Sequence, residues 1–154
     1  MINLELSKNL IDSFNDDGFI ILDKFIDLKY LDKLRSKFEP LFRGEFETGI
    51  EPDEWNWKFD KDNADATRQI CNAWKSDNLI REFVCHELIG KCCSILMNWK
   101  GARLVQDNIL WKPPGGNTLG FHQDAAYDDW LIPQTMITCW MSLDNTSREM
   151  GTLE

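Results

Sequence analysis

Apolar positions along this chain recur at two different periods, and the change falls near residue 100. Leu6, Leu10, Ile11 and Phe14 lie near i, i+4 and i+7 spacing, which predicts an amphipathic helix from Leu4 to Asn15, ended by Asp16-Asp17-Gly18. Phe19-Ile20-Ile21-Leu22 is a short apolar run between turn residues and predicts a buried strand. Phe25-Ile26 follows, and Asp27 is placed to cap the next helix. That helix carries Leu28, Leu31, Leu34, Phe38, Leu41 and Phe42 on one stripe, with Pro40 kinking or ending it. A second N-cap, Asp77, precedes Leu79, Ile80, Phe83 and Val84, and the same face continues through Leu88, Ile89, Cys92, Cys93, Leu96 and Met97. This reads as two short helices or one bent helix.

Between the helical stretches, Arg43 to Asp65 is acidic, aromatic and rich in turn residues, and reads as a long loop. With its aromatics Trp55, Trp57 and Phe59, it is either a lid or binding loop or a loop that folds over apolar surface as packing. Thr67 to Trp74 fits neither period. From Gly101 the period becomes two. Leu104, Gln106, Asn108, Leu110 and Lys112 share one face, and Arg103, Val105, Asp107, Ile109 and Trp111 share the other. Polar residues on both faces fit a strand whose inner face lines a polar pocket. Pro113 to Asn117 is a hairpin-type loop, Leu119 to Asp124 the next strand, and Tyr127 to Pro133 a second loop. Thr135 to Leu143 is a third strand, with Met136, Thr138, Trp140 and Ser142 opposite Ile137, Cys139, Met141 and Leu143. A polar turn, Asn145 to Met150, leads to Gly151-Thr152-Leu153-Glu154, the start of a further strand.

Composition narrows the class of protein. The length, 154 residues, suffices for one domain with its own core. A net charge of −9 argues against nucleic acid and anionic membrane surfaces as partners. The five cysteines are odd in number, two are adjacent, and no spacing repeats, unlike a disulfide framework or a zinc site. They read as reduced, mostly buried thiols of a cytoplasmic protein. Met1 to Ser13 has no signal-peptide pattern, and no run reaches the ~20 apolar residues of a membrane span.

The chemistry concentrates in Phe121-His122-Gln123-Asp124. On a strand, a His and an Asp two residues apart point the same way. Together they are two legs of the metal site made of two His and one carboxylate that leaves other positions open. The alternative for so short a motif is a strand-end His hydrogen-bonded to a nearby acid. The other histidine, His86, lies in a helical apolar pattern beside Glu87 and reads as a surface or packed residue.

The wider context resembles the phytanoyl-CoA dioxygenase family. The run from Gln106 through Lys112-Pro113-Pro114 to His122-Gln123-Asp124, then Trp140 and Gly151-Thr152-Leu153-Glu154, follows that family's order. So does Phe14-Asn15-Asp16-Asp17-Gly18-Phe19 ahead of a short strand and a Lys- and Leu-rich helix. The resemblance implies a mainly β fold with α, a double-stranded β-helix (jelly-roll) core with helices outside, and use of Fe(II) and 2-oxoglutarate. It places His122 and Asp124 on the iron ligands and Asn108 on a 2-oxoglutarate contact. Trp140 matches an aromatic position lining that site, or is a core Trp of a central strand. Gln69, or its neighbour Arg68, falls on another cosubstrate contact, and Gln106 lines the pocket while Lys112 braces the loop. It further implies a small-molecule substrate. Related halogenases carry a small residue in place of the carboxylate, so Asp124 implies hydroxylation.

The sequence departs from the family in one respect. The family's distal His and the Arg that pairs with 2-oxoglutarate lie beyond the strand begun at Gly151, and His86 is on the wrong side of the motif. The expectation is a single domain cut before the distal half of its jelly roll, with open sheet edges and apolar faces. Such a piece alone should bind iron weakly and not turn over. The other expectation is a catalytically silent, truncated homologue that acts as a binding or interaction module. Substrate identity is not legible. Trp55, Trp57, Tyr127 and Trp130 either touch it or pack, and the acidic balance does not favour a CoA thioester.

Overall fold

Helix α1, Lys8–Asp17, begins where the Ser7 hydroxyl accepts a hydrogen bond from the Leu10 N–H, and stops at Gly18 in the left-handed region. The structure, a computed structural model, describes residues 5–116 and 120–153. The predicted helix start, Leu4, lies outside the described residues, as do Asn117, Leu119 and Glu154 of the predicted loop and strands. Helix α2, Leu28–Phe42, starts on Asp27, whose carboxylate accepts from the N–H groups of Lys29 and Tyr30, and holds Pro40 in its last turn. Gly44 follows with φ +82, and a Cβ there would lie 2.5 Å from the Trp55 ring, so both its backbone and its lack of a side chain are needed. Helices α3, Asn78–Val84, and α4, Glu87–Leu96, show that the long apolar pattern is two helices. They are parted at His86, whose Nδ1 accepts the Leu88 N–H at 3.2 Å. That capping bond engages the ring in helix architecture.

Three short strands form one antiparallel sheet in the order β1, Glu54–Trp55, then β2, Arg68–Cys71, then β3, Asn108–Trp111. Ile70 pairs with Ile109, and both are buried. The alternation gives the sheet two faces. Ile70 and Ile109 join Leu34, Leu41 and Phe42 of α2, Ile80 and Phe83 of α3, and Ile89 and Cys93 of α4 in one core. Phe42 sets its ring edge against Trp57 at 6.2 Å and Trp111 at 5.9 Å. Arg68 lies over Trp57 at 3.8 Å and Trp111 at 4.8 Å on this same side. Gln69, Asn108 and Leu110 turn to the other face, where a cleft opens.

The acidic aromatic loop is a packing element. The Trp57 side chain is buried and its indole N–H donates to the Asn63 carbonyl at 2.9 Å. Trp55 meets Phe46 edge-on at 5.2 Å, and neither Trp55 nor Trp57 lines the cleft.

Asp77 is the polar pivot of the helical layer. Its carboxylate accepts from the N–H groups of Leu79 and Ile80 at 2.9 and 3.0 Å and pairs with Lys37 at 3.1 Å, nearly out of solvent. Asp77→Ala removes a cap and one of the two carboxylates paired with the Lys37 ammonium, the other being Glu47, so it should cost about 1–2 kcal/mol, read as a lower midpoint in urea unfolding. An unchanged midpoint would count against this role.

Five predicted strands are corrected. Residues 19–22 form no strand: Ile20 and Leu22 are half-buried, Phe19 and Ile21 are exposed, and no neighbouring strand pairs with them among the described residues. The stretch from Gly101 is a strand only over Asn108–Trp111, where β2 supplies the hydrogen-bonding partner. His122 and Thr135–Leu143 belong to irregular segments, and Asp124 opens a 3-10 turn, Asp124–Ala126. Gly151–Leu153 is likewise irregular. The reason is common to all. Strand propensity does not make a strand without a second backbone to satisfy its N–H and C=O groups. The jelly roll expected from the sequence is therefore not seen; the described residues form a mixed helix and sheet structure with one small antiparallel sheet. Among them, no helix is long and apolar enough to cross a membrane.

Candidate metal half-site

The segment from Gly120 to Leu153 forms one wall of the cleft, opposite α4 and the open face of the sheet. The cleft measures about 3450 Å³. That exceeds the roughly 300–1,000 Å³ of ordinary small-ligand sites, so a small molecule alone would not fill it. Its wall keeps a two-sided pattern without being a strand. Ile137, Met141 and Leu143 pack on the core, while Thr138 turns the other way to Asp124 and Trp140 stays partly exposed.

His122 and Asp124 meet here. His122 Nε2 lies 3.5 Å from Asp124 Oδ1, with both side chains open to the cleft. The other polar atom of each is taken. His122 Nδ1 is 2.9 Å from the Gly120 carbonyl, which can only accept, so Nδ1 donates there and, in the neutral ring, Nε2 is the nitrogen left with a lone pair. Asp124 Oδ2 accepts the Thr138 hydroxyl at 2.7 Å, which leaves Oδ1 free. A neutral imidazole nitrogen and a carboxylate oxygen 3.5 Å apart can both reach one cation at about 2 Å from each. Partners that fix a ligand's tautomer and direction are the ordinary support of a metal site. The pair therefore fits two legs of an iron site. Among the described residues no third His, Cys, Asp or Glu joins them.

No strand forms here, yet Gln123 between the two is extended (φ −116, ψ 128), which keeps the two side chains on one side, and the 3-10 turn begins only at Asp124. Tyr127, next after that turn, stands edge-on to the His122 ring at 6.0 Å.

The other candidate residues gather on the facing wall. Gln69 Nε2 donates to Asn108 Oδ1 at 3.1 Å across β2 and β3. Gln106 lies beyond the strand, with its carbonyl oxygen 3.7 Å from the Cys71 sulfur. Gln69, Gln106, Asn108 and Trp140 all line the cleft that His122 and Asp124 face, and among the described residues no hydrogen bond joins the two groups. Arg68 does not line it, being stacked on the aromatic side of the sheet. Lys112 donates to the Gly151 carbonyl at 3.2 Å and so braces the loop. Thr138 was not singled out by the sequence reading. Its place on one face with Trp140 was the available signal.

These features, a helical layer over a small sheet with a His–Asp pair in the facing cleft, can now be set beside known proteins. The chain belongs to the phytanoyl-CoA dioxygenase family, whose model matches residues 14–154. It is similar to the 2-aminoethylphosphonate dioxygenase of an uncultured bacterium, with 28% identity over 91% of this chain and 53% of that protein. It is also similar to the methylphosphonate hydroxylase of Gimesia maris, with 25% identity over 99% of this chain and 56% of that protein. The chain thus spans about half the length of the curated relatives it matches. No solved structure matches it significantly.

Proposed function

We propose that this chain is the N-terminal part of a single-domain Fe(II)- and 2-oxoglutarate-dependent dioxygenase, and that the whole protein hydroxylates a small organophosphonate. The observation that carries the reading is the His122–Asp124 pair, with Nε2 and Oδ1 turned to one point and their other atoms held by Gly120 and Thr138. In this reading a second His and an Arg, supplied by residues beyond this sequence, complete the site within a jelly roll. Two relatives named for phosphonate substrates support the substrate class. The free thiols support a reducing compartment such as the cytoplasm.

The chain's own residues divide the work. His122 Nε2 and Asp124 Oδ1 are the atoms that would hold the metal. Iron with 2-oxoglutarate would supply the oxidising chemistry that no side chain provides. The Gln69–Asn108 pair offers an amide donor and acceptor to an oxo-acid on the facing wall, and Trp140 gives an apolar surface that limits water. Thr138 fixes the rotation of the Asp124 carboxylate. Thr138→Val should weaken Co(II) binding by the full-length gene product roughly 10- to 100-fold, while Thr138→Ser retains it. Equal affinity of the Val variant and the wild type would remove Thr138 from the site.

The test of the function is turnover. With Fe(II), 2-oxoglutarate and oxygen, the full-length gene product should release succinate when given 2-aminoethylphosphonate or methylphosphonate. Succinate release with another substrate class but neither phosphonate would overturn the substrate assignment alone. Absence of release with every substrate, from folded protein, would sink the enzyme reading and favour an interaction module.

A further inference from the structure

Two cysteines far apart in sequence meet beside this site. Cys93 lies on the buried face of α4, and Cys139 stands between Thr138 and Trp140 on the facing wall. Their sulfurs are 3.4 Å apart. A disulfide bond is about 2.0 Å long, so the sulfurs need to close by only about 1.4 Å. We propose that Cys93 and Cys139 are an oxidative modification site, a thiol pair that peroxide converts to a disulfide joining α4 to the Thr138–Trp140 segment.

The two thiols have different parts. Cys139 is exposed, and Cys93, although buried, borders the same cleft. Either sulfur can donate its S–H to the other; with Cys139 as the donor, Cys93 is pulled down to about 7 and Cys139 is pushed up. Cys93 is then substantially a thiolate at neutral pH, and the thiolate is the nucleophile. Its neighbour Cys92 is buried and pushed up to about 11, which keeps it a thiol. A low-pKa thiolate beside a second thiol is the arrangement that gives reversible oxidation.

The step balances with hydrogen peroxide as oxidant. The Cys93 thiolate attacks one peroxide oxygen, the O–O bond breaks, and the departing hydroxide takes a proton to become water. Cys93 is then a sulfenic acid. Cys139, as it loses its proton, attacks the Cys93 sulfur, the S–O bond breaks, and the second water leaves with that proton. Two thiols give up two electrons, and one peroxide becomes two waters. The new bond fastens the backbone on either side of Cys139. One neighbour is Thr138, the residue that holds the Asp124 carboxylate. The disulfide itself does not depend on the iron reading, because it rests on the sulfur contact alone.

The experiment is stoichiometric hydrogen peroxide on the reduced full-length gene product, followed by thiol alkylation and peptide mapping without reductant. The expected result is loss of two hydrogens from the intact mass and a cross-linked peptide containing Cys93 and Cys139, reversed by dithiothreitol. Cys92→Ser should keep the cross-link and Cys139→Ser should lack it. A sulfinic acid at Cys93 with Cys139 still alkylated, a bridge through Cys92, a bridge between two chains, or full alkylation of both thiols would each overturn the proposal. The wild-type map decides the matter even where a variant fails to fold.

Discussion

His122→Ala is expected to lower 2-oxoglutarate turnover by the full-length gene product by more than about a hundredfold, because loss of a group that only orients a metal ligand already costs 10- to 100-fold. The same substitution should leave thermal unfolding nearly unchanged. His122 is solvent-open and its recorded contacts are the Gly120 carbonyl, Asp124 and the Tyr127 ring, so the stability effect should stay within about 0.5 kcal/mol. The two readouts belong together. Lost turnover with an unchanged melting curve identifies a chemical role, whereas lost turnover with a collapsed melting curve would show a structural one. Turnover that survives the substitution would remove His122 from the metal.

Phe42→Ala should be the most destabilising single change in the described core, at about 3–5 kcal/mol. Phe42 is 1% exposed and its ring meets both Trp57 and Trp111 edge-on. Removing it opens a cavity where α2, the acidic loop and β3 converge. Against a typical total stability of 5–15 kcal/mol, that is enough to unfold a marginal domain. Urea unfolding measures it directly. A loss under about 1 kcal/mol would mean that the three aromatic rings do not hold these elements together. Because Trp111 ends the strand that carries Asn108, a folded remnant should also lose the Gln69–Asn108 contact on the cleft wall.

What could be read from sequence here was local. Asp27 and Asp77 were legible as caps because an N-cap is decided by one side chain and the next few N–H groups. The α2 stripe and the apolar face of α3 and α4 were legible because a helix satisfies its own backbone. The strands were not, because a strand depends on a partner that sequence does not name. Residues 135–143 show the distinction well. Their alternation correctly sorts Ile137, Met141 and Leu143 to the core and Thr138 away from it, yet no strand forms. Arg68 and Gln69 were interchangeable in the sequence. Register with β3 separates them, sending Arg68 to Trp57 and Trp111 and Gln69 to Asn108. The His122–Asp124 pair was legible in its spacing because Gln123 between them is extended as in a strand, although no partner strand pairs with it among the described residues. Neither the Thr138 bond nor the Cys93–Cys139 contact had a local signature, since each links residues distant along the chain.

The central claim is that His122 Nε2 and Asp124 Oδ1 hold one metal ion in the whole protein. Anaerobic titration of the full-length gene product with Fe(II), in the presence of 2-oxoglutarate and followed by optical absorption, tests it most directly. The account predicts one saturable site whose charge-transfer band is absent in Asp124→Ala at the same iron concentration. A variant that binds iron with the wild-type affinity and spectrum would contradict it.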